Sequence, residues 1–193
     1  MQKKKVVLVC PVYNEEECVR DSVEKLVAFS KIELRDYDWK IAVVDNASTD
    51  KTGEICTNLE LEFPNEFKYI RLVEKGKGLA VRNAWNTLDF DYSVYMDIDL
   101  STDLSAVLPT LKLLENNDLV IGTRKMSSSK VIGRSTRREF TSFLYIFVAK
   151  TLASMRHITD FQCGFKGITK EAAIAILPTI IDNTWYFDSE LIV

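Results

Sequence analysis

The sequence predicts an α/β fold: a Rossmann-like, mainly parallel sheet with helices on both faces. Three observations lead to it. Short apolar runs rich in β-branched residues recur along the first two thirds of the chain, segments with helical apolar spacing separate them, and polar, charged or glycine residues follow each run directly. The strands read as Val6–Cys10, Ile41–Val44, Tyr69–Val73, Val94–Met96 and Leu119–Ile121. Continuous apolar runs of this kind suit strands covered on both faces. After the first run, Val19, Val23, Leu26 and Val27 fall at the period of a helix; Ser48, Thr49 and Asp50 offer N-caps for a second, and Leu104–Leu114 repeats the helical pattern. The alternation of strand and helix is what a parallel sheet with crossover helices requires.

With 193 residues the chain can bury one sizeable core, so a single domain over residues 1–193 is expected. An apolar fraction of 47% with 27% charged residues matches an ordinary folded protein and excludes a disordered one. The net charge of -3 gives no bulk reason for nucleic-acid binding and leaves only Lys3–Lys5 and Arg134–Arg138 as local basic clusters. Cys10, Cys18, Cys56 and Cys163 are scattered without a CxxC pair, which argues against a zinc site or a disulfide framework and reads as reduced thiols in a cytosolic protein. The apolar run after Lys3–Lys5 ends at Pro11, too short for a signal-peptide core or for the roughly 20 residues that span a bilayer.

The groups that follow the strands are Pro11–Glu15, Asp45–Ser48, Gly76–Gly78, Asp97–Asp99 and Gly122–Arg124. In an open α/β sheet ligands bind outside the carboxyl ends of the strands, so these groups are expected to converge on one crevice. Asp97 and Asp99 form a DxD whose side chains, two apart at a strand end, point the same way. Two carboxylates in one place suit Mg2+ or Mn2+, a hard ion that keeps waters and fills its remaining positions with phosphate oxygens. Acidic pairs also cap the helix that follows them, which is the competing reading for this pair. Asp45 is a second acidic strand end, placed to hydrogen-bond a nucleoside or to cap a turn. Gly76-Lys77-Gly78 is neither a P-loop nor a GxGxxG, but a lysine at a helix start allows an anion site. Arg124, with Arg134, Arg137 and Arg138 beyond the Ser127–Ser129 loop, offers guanidinium forks that match phosphate geometry; a solvated basic face is the alternative.

Taken in order, Pro11-Val-Tyr-Asn-Glu15, Val44-Asp45, Gly76-Lys-Gly78, Asp97-Ile-Asp99, Gly122-Thr-Arg124 and the spacing of Ser135 and Ser142 around Arg138 resemble family 2 glycosyltransferases of the GT-A fold. Within that family, Asp160-Phe-Gln-Cys-Gly-Phe-Lys166 and Phe187-Asp-Ser-Glu190 resemble the polyprenyl-phosphate branch, the dolichyl-phosphate mannose and glucose synthases. The resemblance covers essentially the whole chain. It implies that Pro11, Tyr13, Glu15 and Asp45 line a nucleoside pocket, that Asn14, Lys77 and Asp97 also meet the donor, and that Asp97 and Asp99 hold the metal. It further implies that Arg124 and Arg138 bind phosphates. One departure stands out: similar mannose synthases carry Gln two residues after the second Asp, as a metal ligand, where this chain has Ser101.

The function so implied is inverting transfer of a hexose from a nucleotide-sugar to dolichyl or polyprenyl phosphate, with UDP-glucose favoured as donor by the Asp160–Lys166 segment and GDP-mannose next. The only histidine, His157, sits outside every motif. None is needed as a base, because a phosphate monoester with a second pKa of about 6 is already largely dianionic at neutral pH. Phe140–Met155, aromatic and apolar behind Arg137 and Arg138, is too short and too charged to span a bilayer and suits either a helix against the sheet or one lying on a membrane. The expectation is a peripheral protein on the cytosolic face, with relatives continuing past Leu191-Ile-Val193 into an anchor or the rest of the acceptor site. Two other readings remain: a family 2 enzyme acting on a sugar hydroxyl, with Asp160 or Glu190 as base, and a fragment that binds a nucleotide-sugar without turnover.

Overall fold

The computed structural model describes residues 2–123, 160–184 and 186–192. In chain order the elements are β1 (Lys5–Val12), α1 (Val19–Glu33), β2 (Asp38–Asn46), α2 (Thr52–Glu62), β3 (Phe67–Leu72), α3 (Lys77–Thr87), β4 (Tyr92–Met96), α4 (Val107–Leu114), β5 (Leu119–Ile121), β6 (Phe165–Thr169), α5 (Lys170–Ile176) and α6 (Phe187–Glu190). The strands form one sheet in the order β3-β2-β1-β4-β6-β5. Pairs β1–β2, β2–β3 and β1–β4 are parallel, whereas β6 runs antiparallel between β4 and β5.

The expected burial on both faces follows from side-chain alternation along β1 and β2. Val6, Leu8, Cys10 and Val12 join Ile41 and Val43 in a core covered by α1, α2 and α4. Val7 and Val9 join Ala42 and Val44 in a second core under α3, α5 and α6. Each fully buried Val or Leu of these cores contributes about 1.5–3 kcal/mol relative to exposure. Trp85 anchors the second core, and its indole N–H donates to Ser93 Oγ (2.9 Å), so the polar edge of the largest buried side chain is satisfied.

Two expected elements are redrawn. The Tyr69–Val73 strand runs instead from Phe67 to Leu72, and Val73 is almost fully exposed. The Leu104–Leu114 helix opens as a 3-10 turn over Leu104–Ala106, capped by Asp103 accepting from Ser105 N (2.9 Å), before α4 proper. Asp103, not Asp97 or Asp99, therefore caps this helix. The basic Lys3–Lys5 run lies at the amino ends of the strands, where Lys4 and Lys5 pair with Asp91 and Asp89. Strand β6 was legible only as a motif, because Phe165-Lys-Gly-Ile-Thr169 interrupts its apolar residues with a lysine and a glycine.

That glycine is set by packing. A Cβ on Gly167 would lie 2.5 Å from Thr110 Cγ2 and 3.1 Å from Leu114 Cδ1, so α4 sits directly on the backbone of β6. Gly167→Ala is expected to push α4 off the sheet and cost about 1–3 kcal/mol in urea denaturation. An unchanged midpoint would show that α4 yields freely.

Candidate active site

The chain runs from β1 outward to β2 and β3, then returns through α3 to β4 on the other side of β1. At this reversal the loops leave the strand ends in opposite directions, and a crevice opens between them. Its volume is about 750 Å³, within the range of small-ligand sites. Pro11, Val12, Tyr13 and Glu15 line it from β1, Asn46 from β2, Lys75, Gly76 and Lys77 from the β3–α3 connection, and Asp97, Ile98, Asp99 and Ser101 from the end of β4; Thr184 closes the rim.

The loops after β1 and β2 are tied together. Asn14 N donates to Ser48 Oγ (3.0 Å), Glu15 N to Thr52 Oγ1 (2.8 Å) and Glu16 N to Asp50 Oδ2 (3.1 Å), while Thr49 N returns a bond to Asn14 Oδ1 (2.8 Å). Asn14 makes this possible by adopting φ 55, a left-handed conformation that asparagine tolerates. Its side chain thus serves the loop, whereas Tyr13 and Glu15 face the crevice. Asp45 also stands behind the wall. It is fully buried, accepting from Ser48 N (2.8 Å) and Tyr69 Oη (2.7 Å) with Arg71 Nη1 at 3.6 Å, and burial together with the Asp45 contact pushes the Tyr69 hydroxyl pKa upward. The adjoining Asn46 takes the place expected of Asp45. Its Nδ2 donates to Val12 O (3.1 Å), and its buried Oδ1 has no donor among the described residues.

Two lysines reach the crevice beside Gly76. Lys75 places its ammonium 4.1 Å from the centre of the Tyr13 ring and donates to the Tyr13 hydroxyl, which lowers the pKa of that hydroxyl. Lys77 Nζ donates to Asp97 Oδ1 at 2.8 Å. At the start of α3, Gly78 N and Leu79 N are taken by Thr184 O (3.2 Å) and Asn183 O (3.0 Å), so what the helix start offers an anion is the Lys77 side chain and not these amides. The two glycines admit that strap: a Cβ on Gly76 would lie 2.3 Å from Asn183 O, and one on Gly78 2.5 Å from Phe187 Cβ.

Asp97 and Asp99 lie just past β4, in a turn closed by Leu100 N donating to Asp97 O (3.2 Å), with Leu100 at φ 51. The alternation of a strand therefore does not set their directions. Instead Ile98 is buried between them, leaving both carboxylates on the crevice side. Asp99 Oδ1 accepts from Ser101 N (3.0 Å). Gly164 backs Asp97 so closely that a Cβ there would lie 2.1 Å from Asp97 Oδ2.

Beneath Lys77 is a buried ion pair that sequence reading did not find as a unit. Lys166, fully buried on β6 and directly opposite Tyr95 of β4, donates to Asp188 Oδ1 (2.5 Å) and Cys163 O (2.7 Å). The Tyr95 hydroxyl donates to the same carboxylate oxygen. Burial pushes the Asp188 carboxyl upward and Lys77, 3.9 Å from Asp188 Oδ2, opposes that shift. An ammonium and a phenol both donating to Oδ1 is the arrangement that favours the charged form.

Asp97, Asp99 and Ser101 present oxygen donors only, the set a hard divalent cation takes when water and ligand phosphates complete its coordination. No cluster of three His, Cys, Asp or Glu side chains arranged for a metal occurs among the described residues. The donor set fits Mg2+ or Mn2+ bound together with a ligand and does not fit a closed protein cage. Arg124, Arg134, Arg137, Arg138, Ser135, Ser142, His157, the Ser127–Ser129 loop and Phe140–Met155 lie outside the described residues. Lys75 and Thr184 were missed, and Asn46 was expected at the crevice only as a member of the Asp45–Ser48 group; position beside Gly76 was the signal for Lys75.

The family model for glycosyl transferase family 2 matches residues 7–177. A dolichyl-phosphate beta-glucosyltransferase of Trichomonas vaginalis is 30% identical over 199 residues, covering 96% of this chain and 58% of that protein. A dolichol-phosphate mannosyltransferase of Pyrococcus furiosus is 33% identical over 172 residues, covering 86% of this chain and 47% of that protein. The chain thus spans less than two thirds of the length of these relatives. Among solved structures, glucosyl-3-phosphoglycerate synthase from Mycobacterium tuberculosis, in complex with Mn2+, UDP and phosphoglyceric acid, superposes with a TM-score of 0.69 at 16% identity, covering 97% of this chain and 62% of that one. That likeness establishes the GT-A fold.

Removing one partner of a buried ion pair strands the other charge. Lys166→Met is expected to lower stability by about 3–5 kcal/mol in urea denaturation, and adding Asp188→Leu is expected to restore part of the loss. If the double variant is no more stable than the single one, the pair is not the source.

Proposed function

The chain belongs to glycosyl transferase family 2, and on that premise we propose that it carries the donor site of an inverting, metal-dependent hexosyltransferase whose acceptor is dolichyl or polyprenyl phosphate. The observation that carries this reading is one crevice at the sheet's reversal point that gathers two carboxylates, Asp97 and Asp99, and two lysines, Lys75 and Lys77. Carboxylates and ammonium groups in one crevice suit a nucleoside diphosphate: Asp97 and Asp99 would hold a divalent cation, Lys75 and Lys77 would meet the phosphates, and Tyr13, Glu15 and Asn46 would border the nucleoside. Asn46 Oδ1 offers an acceptor to a ligand N–H. Arg124 and Arg138 keep their role toward phosphates by the family pattern.

When bound, the divalent ion supplies Lewis-acid stabilisation of the departing diphosphate. The acceptor phosphate oxygen forms its bond to the anomeric carbon on the face opposite the leaving group, as the bond from that carbon to the donor's diphosphate oxygen breaks. Lys75 and Lys77 stabilise the charge that collects on the diphosphate. No proton has to be removed from a phosphate dianion. The fate of the alternative bases supports this acceptor over a sugar hydroxyl. Asp160 is buried, and Glu190 Oε2 accepts from Ile181 N (2.9 Å) and Asp182 N (2.8 Å), so it braces the connection ahead of α6.

UDP-glucose is the donor we favour, on the Asp160–Lys166 segment and the similarity to a dolichyl-phosphate beta-glucosyltransferase; GDP-mannose follows, on the similarity to a mannosyltransferase. A lipid acceptor implies work at a membrane surface, and we place the protein peripherally on the cytosolic face. No helix among the described residues is long and apolar enough to cross a membrane.

The test is transfer of radiolabelled sugar from UDP-glucose or GDP-mannose to a short polyprenyl phosphate, with Mn2+, Mg2+ or chelator, by this chain and by Asp99→Ala. Expected is metal-dependent product from UDP-glucose that falls at least about 100-fold in the variant. Donor binding without product, followed by calorimetry, would favour a sugar-hydroxyl acceptor or a fragment that binds without turnover; absence of donor binding sinks the reading.

A further inference from the structure

Lys77 lies between two carboxylates of unlike surroundings. Its ammonium is 2.8 Å from Asp97 Oδ1 at the crevice wall and 3.9 Å from Asp188 Oδ2 in the interior. The Asp188 side chain is 4% exposed and that of Asp97 43%. The oxygens of Asp188 divide the work: Oδ1 receives Lys166 and Tyr95, and Oδ2 faces Lys77. The Tyr95 ring lies next to both ammonium groups, its centre 5.4 Å from Lys77 Nζ and 5.5 Å from Lys166 Nζ.

Lys77 and Lys166 thus share the carboxylates of Asp97 and Asp188. A divalent cation on Asp97 and Asp99 disturbs this pairing, because it competes for the oxygen that Lys77 holds and sets like charge beside an ammonium whose side chain is 14% exposed. Asp188 Oδ2 is the nearby acceptor, and a shift of about 1 Å brings the ammonium into hydrogen-bond range of it. Gly164 packs its backbone against Asp97, which is where that carboxylate is held.

Resting on the metal role given above to Asp97 and Asp99, we propose that Lys77 is the resident counter-ion of Asp97 in the unliganded protein, that a divalent cation gains Asp97 by displacing this ammonium, and that Asp188 is the positioning residue that receives it. The device keeps the crevice from holding metal tightly before the donor arrives. A donor diphosphate is a second acceptor for the displaced ammonium, so nucleotide and metal assist each other.

The experiment is Mn2+ titration by calorimetry without nucleotide, on this chain and on Lys77→Met, Asp188→Asn, the double variant and Asp97→Asn, with thermal midpoints alongside. Lys77→Met is expected to tighten Mn2+ binding by roughly five-fold, and Asp188→Asn to weaken it by a similar factor. In the Lys77→Met background Asp188→Asn is expected to have no effect on Mn2+. Unchanged affinity in Lys77→Met overturns the proposal, and an Asp188→Asn effect that survives in the double variant overturns the role of Asp188. Should Asp188→Asn fail to fold, Lys77→Met alone decides the counter-ion. Loss of Mn2+ binding in Asp97→Asn with no change in Lys77→Met defeats this inference and leaves the metal reading standing; undiminished binding in Asp97→Asn defeats both.

Discussion

The candidate site depends on the Lys166–Asp188 ion pair sealed beneath it. Two charges removed from water are tolerated only when each is paired and hydrogen-bonded, so Lys166, Asp188, Tyr95 and the Cys163 carbonyl restrict one another's positions. Through that restriction α6 is fixed against β4 and β6 at the level where the strands end. The Asn183–Thr184 strap just before α6 is drawn over the start of α3, where its carbonyls occupy the first amides of the helix. What α3 then presents to the crevice is the Lys77 side chain instead of a bare helix end.

Close backbone approach is the second constraint. Gly76 and Gly78 accept the strap, Gly164 accepts Asp97 and Gly167 accepts α4, all at separations where a Cβ would lie within 2.5 Å of its nearest neighbour. A strand that brings a lysine, two nearby glycines and the reversed direction to a position next to the sheet's edge strand is poor in apolar surface for its burial. It is held by neighbours on both sides, β4 and β5, and by the ion pair on its α6 face. The left-handed Leu100 carries a related cost, since a bulky residue at positive φ is unfavourable and persists where surrounding structure determines it. Here it turns the chain so that Asp97 and Asp99 flank a buried Ile98.

Side-chain periodicity made the parallel half of the sheet legible, because Val6–Cys10 and Ile41–Val44 are covered on both faces and so lack polar interruptions. The convergence of strand-end groups was legible for the same reason: in a parallel sheet every carboxyl end points one way. Asp97, Asp99, Pro11, Tyr13, Glu15 and Lys77 all reach the crevice as expected. Asp45 and Asn14 do not: Asp45 caps the turn at Ser48, the alternative its sequence position had offered, and also binds Tyr69 on β3, while Asn14 binds Thr49 in the loop after β2.

The sequence by itself determined the α/β class, the side of the sheet on which chemistry gathers, and the acidic and basic residues that meet there, since these depend on local periodicity and on the chirality of strand–helix–strand units. Only the tertiary structure decided that β6 enters antiparallel, that Asn46 instead of Asp45 faces the crevice, and that Lys77 is shared between Asp97 and Asp188. The sharing of Lys77 turns on contacts 20 and 111 positions apart, with Asp97 and Asp188 respectively. Burial sets the strength of such contacts, and burial is a property of the folded chain.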